Sequence, residues 1–147
     1  MKETGNSKDC WLIDSGTSHH LCCKSDWFFS YTKFSESRAL KLGDRRVMYT
    51  EGQGQINVEM LVHGKWKPSY LRNVWYVPEG DQNLFSAGSA LDKELVEYAN
   101  NTQREFRTKT GETVAVGIRQ LGGIYKLLVR VVSLVLHKVS YKCGIRD

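Results

Sequence analysis

An acid, a hydroxyl and a glycine stand side by side at Asp14-Ser15-Gly16, directly after the apolar run Trp11-Leu12-Ile13. A carboxylate at the end of a buried strand is costly unless backbone N–H groups or a partner charge meet it. Gly16 has no Cβ, so the chain turns there and bare amides come close to the acid. Ser15 is free to hydrogen-bond outward to neighbouring backbone. An acid held in this way suits general acid–base work. Taken alone, the tripeptide is also an ordinary turn.

The next group that could do chemistry is His19-His20-Leu21-Cys22-Cys23, where two His-x-x-Cys pairs overlap. A closed zinc site needs four ligands, and no second ligand cluster follows within reach. Neither a metal nor any other cofactor is therefore expected. Leu21, Cys22 and the aromatic run Trp27-Phe28-Phe29 are expected in the core, with the histidines near a cleft rim. The four cysteines, Cys10, Cys22, Cys23 and Cys143, show no framework spacing, so a reduced, intracellular state is expected.

These groups must be positioned by a chain of 147 residues, enough for one domain with a modest core. Its hydrophobic content of 41% and charged content of 25% are ordinary for a soluble globular protein. The net charge is +5, but the basic residues are dispersed and form no block beyond Arg45-Arg46. That dispersal describes a solvated mixed surface, and nucleic acid is not an expected partner of this domain alone. The first ten residues are polar and lack the apolar centre of a signal peptide. Leu127 to Leu136 is apolar but interrupted by Arg130, whereas a membrane span needs about 20 apolar residues, so no membrane partner is expected.

Residues 1–9 read as a flexible leader or the cut edge of a longer polyprotein. A strand over Cys10 to Ile13 leads into the Asp14 turn, and a short helix or turn is predicted at Ser25 to Phe29. From Ala39 the pattern becomes β. Leu40 to Tyr49 reads as a hairpin tipped by Gly43, Asp44, Arg45 and Arg46, and Ile56 to Met60 as an alternating strand. His63-Gly64-Lys65 is a turn, and a strand from Trp66 through Val77 ends at Pro78. Asn83-Leu84-Phe85 leads into small residues and a short helix predicted to reach about Tyr98. Arg104 to Lys109, Val114 to Ile118 and Ile124 to Leu128 read as further strands, the first two separated by a turn at Gly111. No element is assigned after Leu128. Strands so evenly spaced, each closed by Gly or Pro, predict an all-β fold, a small closed barrel with one or two short helices and a C-terminal β extension. The resulting division is a leader at 1–9, a barrel at 10–98, an extension at 99–128 and a divergent tail at 129–147.

In order and spacing, these pieces resemble the protease region of Ty1/copia-type retrotransposon Pol polyproteins. The resemblance is carried by Trp11-Leu-Ile-Asp-Ser-Gly-Thr-Ser-His-His, Leu42-Gly43-Asp44 and Gly52-x-Gly54-x-Ile56. It continues through Leu71-x-Asn73-Val74-x-Tyr76-Val77-Pro78, Asn83-Leu84-Phe85-Ser86 and Gly122-Gly123-Ile124-Tyr125-Lys126-Leu127, and so covers about residues 10–128. The last of these looks like the start of the segment that precedes the integrase.

The resemblance implies a retropepsin-like β-barrel, an aspartic endopeptidase that processes its own Gag-Pol-type polyprotein and is active only as a homodimer. The residues give a separate reason for two copies. An aspartic protease needs two carboxylates sharing one proton, because like charges so close cannot both ionise. This chain has one Asp-Ser-Gly and is too short for two lobes, so a two-fold axis must bring Asp14 against its own copy. By the same resemblance, Asp14 is the catalytic acid, Gly16 amides hold its outer oxygen and Ser15 cross-links the two loops. Thr17 and Ser18 line the substrate groove, and the hairpin tip with Gly43, Asp44 and Arg45 is the flap that closes on the peptide. A cytoplasmic setting, virus-like particles included, goes with this resemblance. Ser86 stands where retroviral relatives have glycine, and the flap tip carries only one glycine. The competing expectation is a catalytically inactive remnant barrel with a structural or assembly role.

Overall fold

Trp11 and Ile13 alternate with Leu12 and Asp14, and that alternation turns the two core side chains inward along β1 (Trp11–Asp14). The computed structural model describes residues 7–42, 46–133 and 138–139. After β1 come β2 (Leu21–Cys22), β3 (Ser30–Lys41), β4 (Val47–Val62), β5 (Lys65–Tyr76) and β6 (Asn83–Ser86). One helix, α1 (Ala87–Asp92), separates these from β7 (Val96–Ala99), β8 (Gln103–Arg107) and β9 (Thr113–Arg119). The described chain ends with β10 (Tyr125–Leu127), β11 (Val129–Ser133) and β12 (Lys138–Val139). Short 3-10 turns occupy Ser7–Asp9 and Ser25–Trp27.

The fold is all-β, but the sheet is not the closed barrel that was expected. Its strands follow the open path β12-β11-β4-β5-β2-β6-β1-β10-β9-β8-β7, with β3 paired to β4 beside that path. The physical reason lies in the hairpins after α1. β10 takes the edge of β1, and β9, β8 and β7 carry the sheet onward, so β7 ends it instead of pairing back. β10 and β11 are separated by Leu128 alone, and β11 pairs with Val58 to Met60 of β4.

β4 is the longest strand and supplies much of the core. Ile56, Val58, Met60 and Val62 are each no more than 3% exposed, while the residues between them face outward or are half-buried. They meet Trp11, Ile13, Leu71, Val74, Phe85, Phe106, Leu127 and Val129 in one apolar cluster. Gly54 lets β3 cross closely, because a Cβ there would collide with the Ser30 carbonyl. The β4–β5 pairing slips between Gly54 and Ile56, and Asn73 absorbs the extra residue in the left-handed region at φ 55°.

Three expectations change. The helix predicted to reach Tyr98 stops at Asp92, because Glu94 adopts φ 69° and Val96–Ala99 pairs with β8. β3 begins at Ser30, nine residues before the predicted β pattern, and Phe34 is its one buried side chain. The residues after Leu128, to which no element was assigned, begin with β11 in the main sheet.

Candidate active site

β6 threads between β1 and β2, running parallel to β1 and antiparallel to β2. The loop that joins β1 to β2 therefore crosses over the end of β6, and that loop is Ser15 to His20. In register, Asp14 lies beside Ser86 and Leu12 beside Leu84. The Gly16 amide donates to Asp14 Oδ1 at 2.6 Å, a short charge-assisted bond that satisfies one carboxylate oxygen. Asp14 is half-buried and lines an open cleft of about 420 Å³ with Leu12, Ser15, Leu84, Arg104 and Tyr125.

The loop is pinned from beneath. Ser86 Oγ donates to the Thr17 carbonyl at 2.6 Å and accepts from Ser89 N at 3.0 Å, so one hydroxyl holds the loop and caps α1. The Ser86 amide donates to His20 Nδ1 at 2.9 Å. His20 is buried, its ring stacked 4.8 Å from that of Phe85. Burial, aided by Lys93 and His19, pushes its pKa down from 6.5 to about 4. With Nδ1 accepting, the neutral ring carries its proton on Nε2.

Each predicted site residue has a distinct place. Ser15 and Gly16 are exposed at the loop tip, and Ser18 is exposed with its Oγ 3.1 Å from His19 Nδ1. Thr17 is buried, and its hydroxyl donates to the His19 carbonyl at 3.0 Å. His19 stacks on Trp75 at 3.9 Å, and its pKa is lowered by burial and then by Arg38. Gly43, Asp44 and Arg45 lie outside the described residues. They fall between β3 and β4, and Leu40, Leu42 and Met48 line a cavity together with Leu84 and Gln82, two residues that also line the Asp14 cleft.

The overlapping His-x-x-Cys pairs serve packing. Cys22 Sγ contacts the Lys24 backbone at both its N–H and its carbonyl, and burial pushes the Cys22 and Cys23 thiols up. Among the described residues, no three His, Cys, Asp or Glu side chains gather as metal ligands would. No helix among them is long and apolar enough to cross a membrane.

Three side chains exceed what the sequence reading assigned. Fully buried Asn83 donates to the carbonyls of Lys8 and Cys10 and accepts from Cys23 N, tying the entry of β1 to the exit of β2. Ser86, noted in the sequence only as standing where retroviral relatives have glycine, makes three hydrogen bonds there. Arg104 reaches the loop from β8, where its Nη2 donates to Ser15 Oγ at 3.0 Å. Local sequence gives no signal for that contact, which spans 89 residues.

No curated protein and no solved structure matches this chain. Residues 11–95 match the family described as Pol polyprotein, beta-barrel domain, and the chain belongs to that family.

Proposed function

We propose that this chain is the aspartic endopeptidase of a copia-type retrotransposon Pol polyprotein, acting as a homodimer on a Gag-Pol-type polypeptide. The observation that carries the reading is the Asp14 loop. Its carboxylate is tied to the Gly16 amide at 2.6 Å and opens onto a cleft, while Ser86 clamps the loop backbone from below. One chain supplies one such acid, so the paired site needs a second copy related by a two-fold axis.

In that dimer a water sits between two Asp14 carboxyls that share one proton. The ionised carboxyl takes a proton from the water as general base, and the protonated one polarises the scissile carbonyl. Ser18, exposed on the loop, meets the peptide. Thr17 shapes the loop from inside, since its hydroxyl is turned back to His19. The β3–β4 hairpin is the flap, and the cavity that Leu40, Leu42 and Met48 line together with Leu84 supports that role. Residues 10–98 form the endopeptidase proper, with 99–128 leading towards the integrase. The setting is the cytoplasm, within virus-like particles.

Incubating the chain with a polyprotein-junction peptide at about pH 5 tests the reading. Cleavage that vanishes in Asp14→Asn supports it. Cleavage that persists in Asp14→Asn removes it, and a chain that stays monomeric at high micromolar concentration cannot build the pair. That second result assigns the domain to the inactive, structural alternative.

A further inference from the structure

Arg104 lies outside the matched residues 11–95, yet it is built into the Asp14 cleft. Three groups fix its guanidinium. Nε is paired with Glu97 Oε2, Nη2 donates to Ser15 Oγ at 3.0 Å, and the Tyr125 ring centroid is 5.4 Å away. The Arg104 and Glu97 side chains are only 11% and 20% exposed. A largely buried ion pair holds its geometry far better than a solvated one.

The backbone is arranged to bring β8 this close. Arg104 lies opposite Gly117 in the β8–β9 pairing, and a Cβ on Gly117 would collide with Ile13 Cδ1. Tyr125 lies opposite Ile13 in the β1–β10 pairing, so β1, β9 and β10 all converge beneath Arg104. Ser15 Oγ accepts from Arg104 and keeps its own proton to donate. A hydroxyl that accepts from a cation is a stronger donor.

We propose that Arg104, anchored by Glu97, is a positioning residue that latches Ser15 and so orders the Asp14-Ser15-Gly16 turn from outside the matched domain. The latch aims the Ser15 hydroxyl proton into the cleft, where a carboxylate or a peptide carbonyl accepts it. The consequence for peptide cleavage rests on the proteolytic reading; the ordering of the turn does not.

The test is amide hydrogen exchange at Gly16, read by NMR on the full chain, for Arg104→Ala, Arg104→Lys, Ser15→Ala and Arg104→Ala/Ser15→Ala. Loss of one charge-assisted bond speeds Gly16 exchange on the order of tenfold in Arg104→Ala. Arg104→Lys recovers part of that protection, and the double variant exchanges no faster than the faster single one. Glu97→Gln, which leaves both partners in place but removes the anchor's charge, gives an intermediate rate and serves if Arg104→Ala does not fold. Unchanged Gly16 exchange in folded Arg104→Ala and Glu97→Gln overturns the latch, as do additive effects in the double variant. In the peptide assay, Arg104→Ala lowers kcat about tenfold at constant KM. A chain that cleaves nothing while Gly16 exchange responds as stated overturns the proteolytic reading and leaves the latch standing. Cleavage with kcat unchanged in Arg104→Ala overturns the catalytic half of the latch.

Discussion

His20, which accepts from Ser86 beneath the Asp14 loop, is expected to make that loop sensitive to acid. Its Nδ1 must stay unprotonated to accept from the Ser86 amide, and burial holds its pKa near 4 against 6.5 in the unfolded chain. As pH falls below about 6.5 the unfolded state binds a proton that the folded state refuses. The stability from neutral His20 is whole above that pH, drains between about 6.5 and 4, and stops draining below. The full loss is on the order of 3 kcal/mol. Urea midpoints from pH 7.5 to 4.5 should therefore slope less steeply in His20→Gln, whose amide oxygen still accepts from Ser86. Equal slopes would show that His20 is not the group responsible. Ser86 gives a second residue-scale prediction. Ser86→Ala removes a helix cap and the bond to the Thr17 carbonyl together, and should cost about 2 kcal/mol in denaturant unfolding. Asn83→Asp removes two donated bonds in a fully buried site, and should cost about 3 kcal/mol or more.

At the scale of elements, the site depends on strands that pass unusually close to one another. Gly54 sits where a Cβ would strike the backbone of Ser30 and Tyr31, which cannot move aside as a side-chain end could. Gly64, at φ 81° in a turn, has open space around it. Gly54→Ala should cost about 3 kcal/mol and pull β3 from β4, whereas Gly64→Ala should cost about 1 kcal/mol of backbone strain. Equal thermal shifts for the two would contradict this account of the β3–β4 crossing. Much of the fold was legible where burial alternates, as at Ile56, Val58 and Met60, whereas Asn83-Leu84-Phe85 was read only as the lead-in to a helix and is the buried strand β6. β3 was not legible before Ala39, because a strand exposed at nearly every residue leaves no apolar period to read. The helix ends short of its expected bound for the opposite reason: Leu95 and Tyr98 continue an apolar pattern that the Glu94 backbone angle and the pairing of Val96–Ala99 with β8 interrupt. In the site, the contact between Gly16 and Asp14 is local and follows from three adjacent residues. The Ser86 and Arg104 contacts join residues 69 and 89 positions apart, which a pattern along the chain does not encode.

For the whole molecule, the open sheet bears on the proposed homodimer. β10 covers the edge of β1, so strand addition at that edge is closed to a partner, and in the proposed dimer the two Asp14 loops would have to meet directly. Under the proposed reading the dyad is a property of that dimer, and activity would depend on protein concentration as well as on pH. Mixing wild-type chain with a growing excess of Asp14→Asn, while cleavage of a junction peptide is followed, tests this most directly. If the two acids come from two chains, the excess captures wild-type chains in mixed dimers, and the rate per wild-type chain falls towards zero. A rate per wild-type chain that stays constant at every ratio would contradict the shared Asp14 pair.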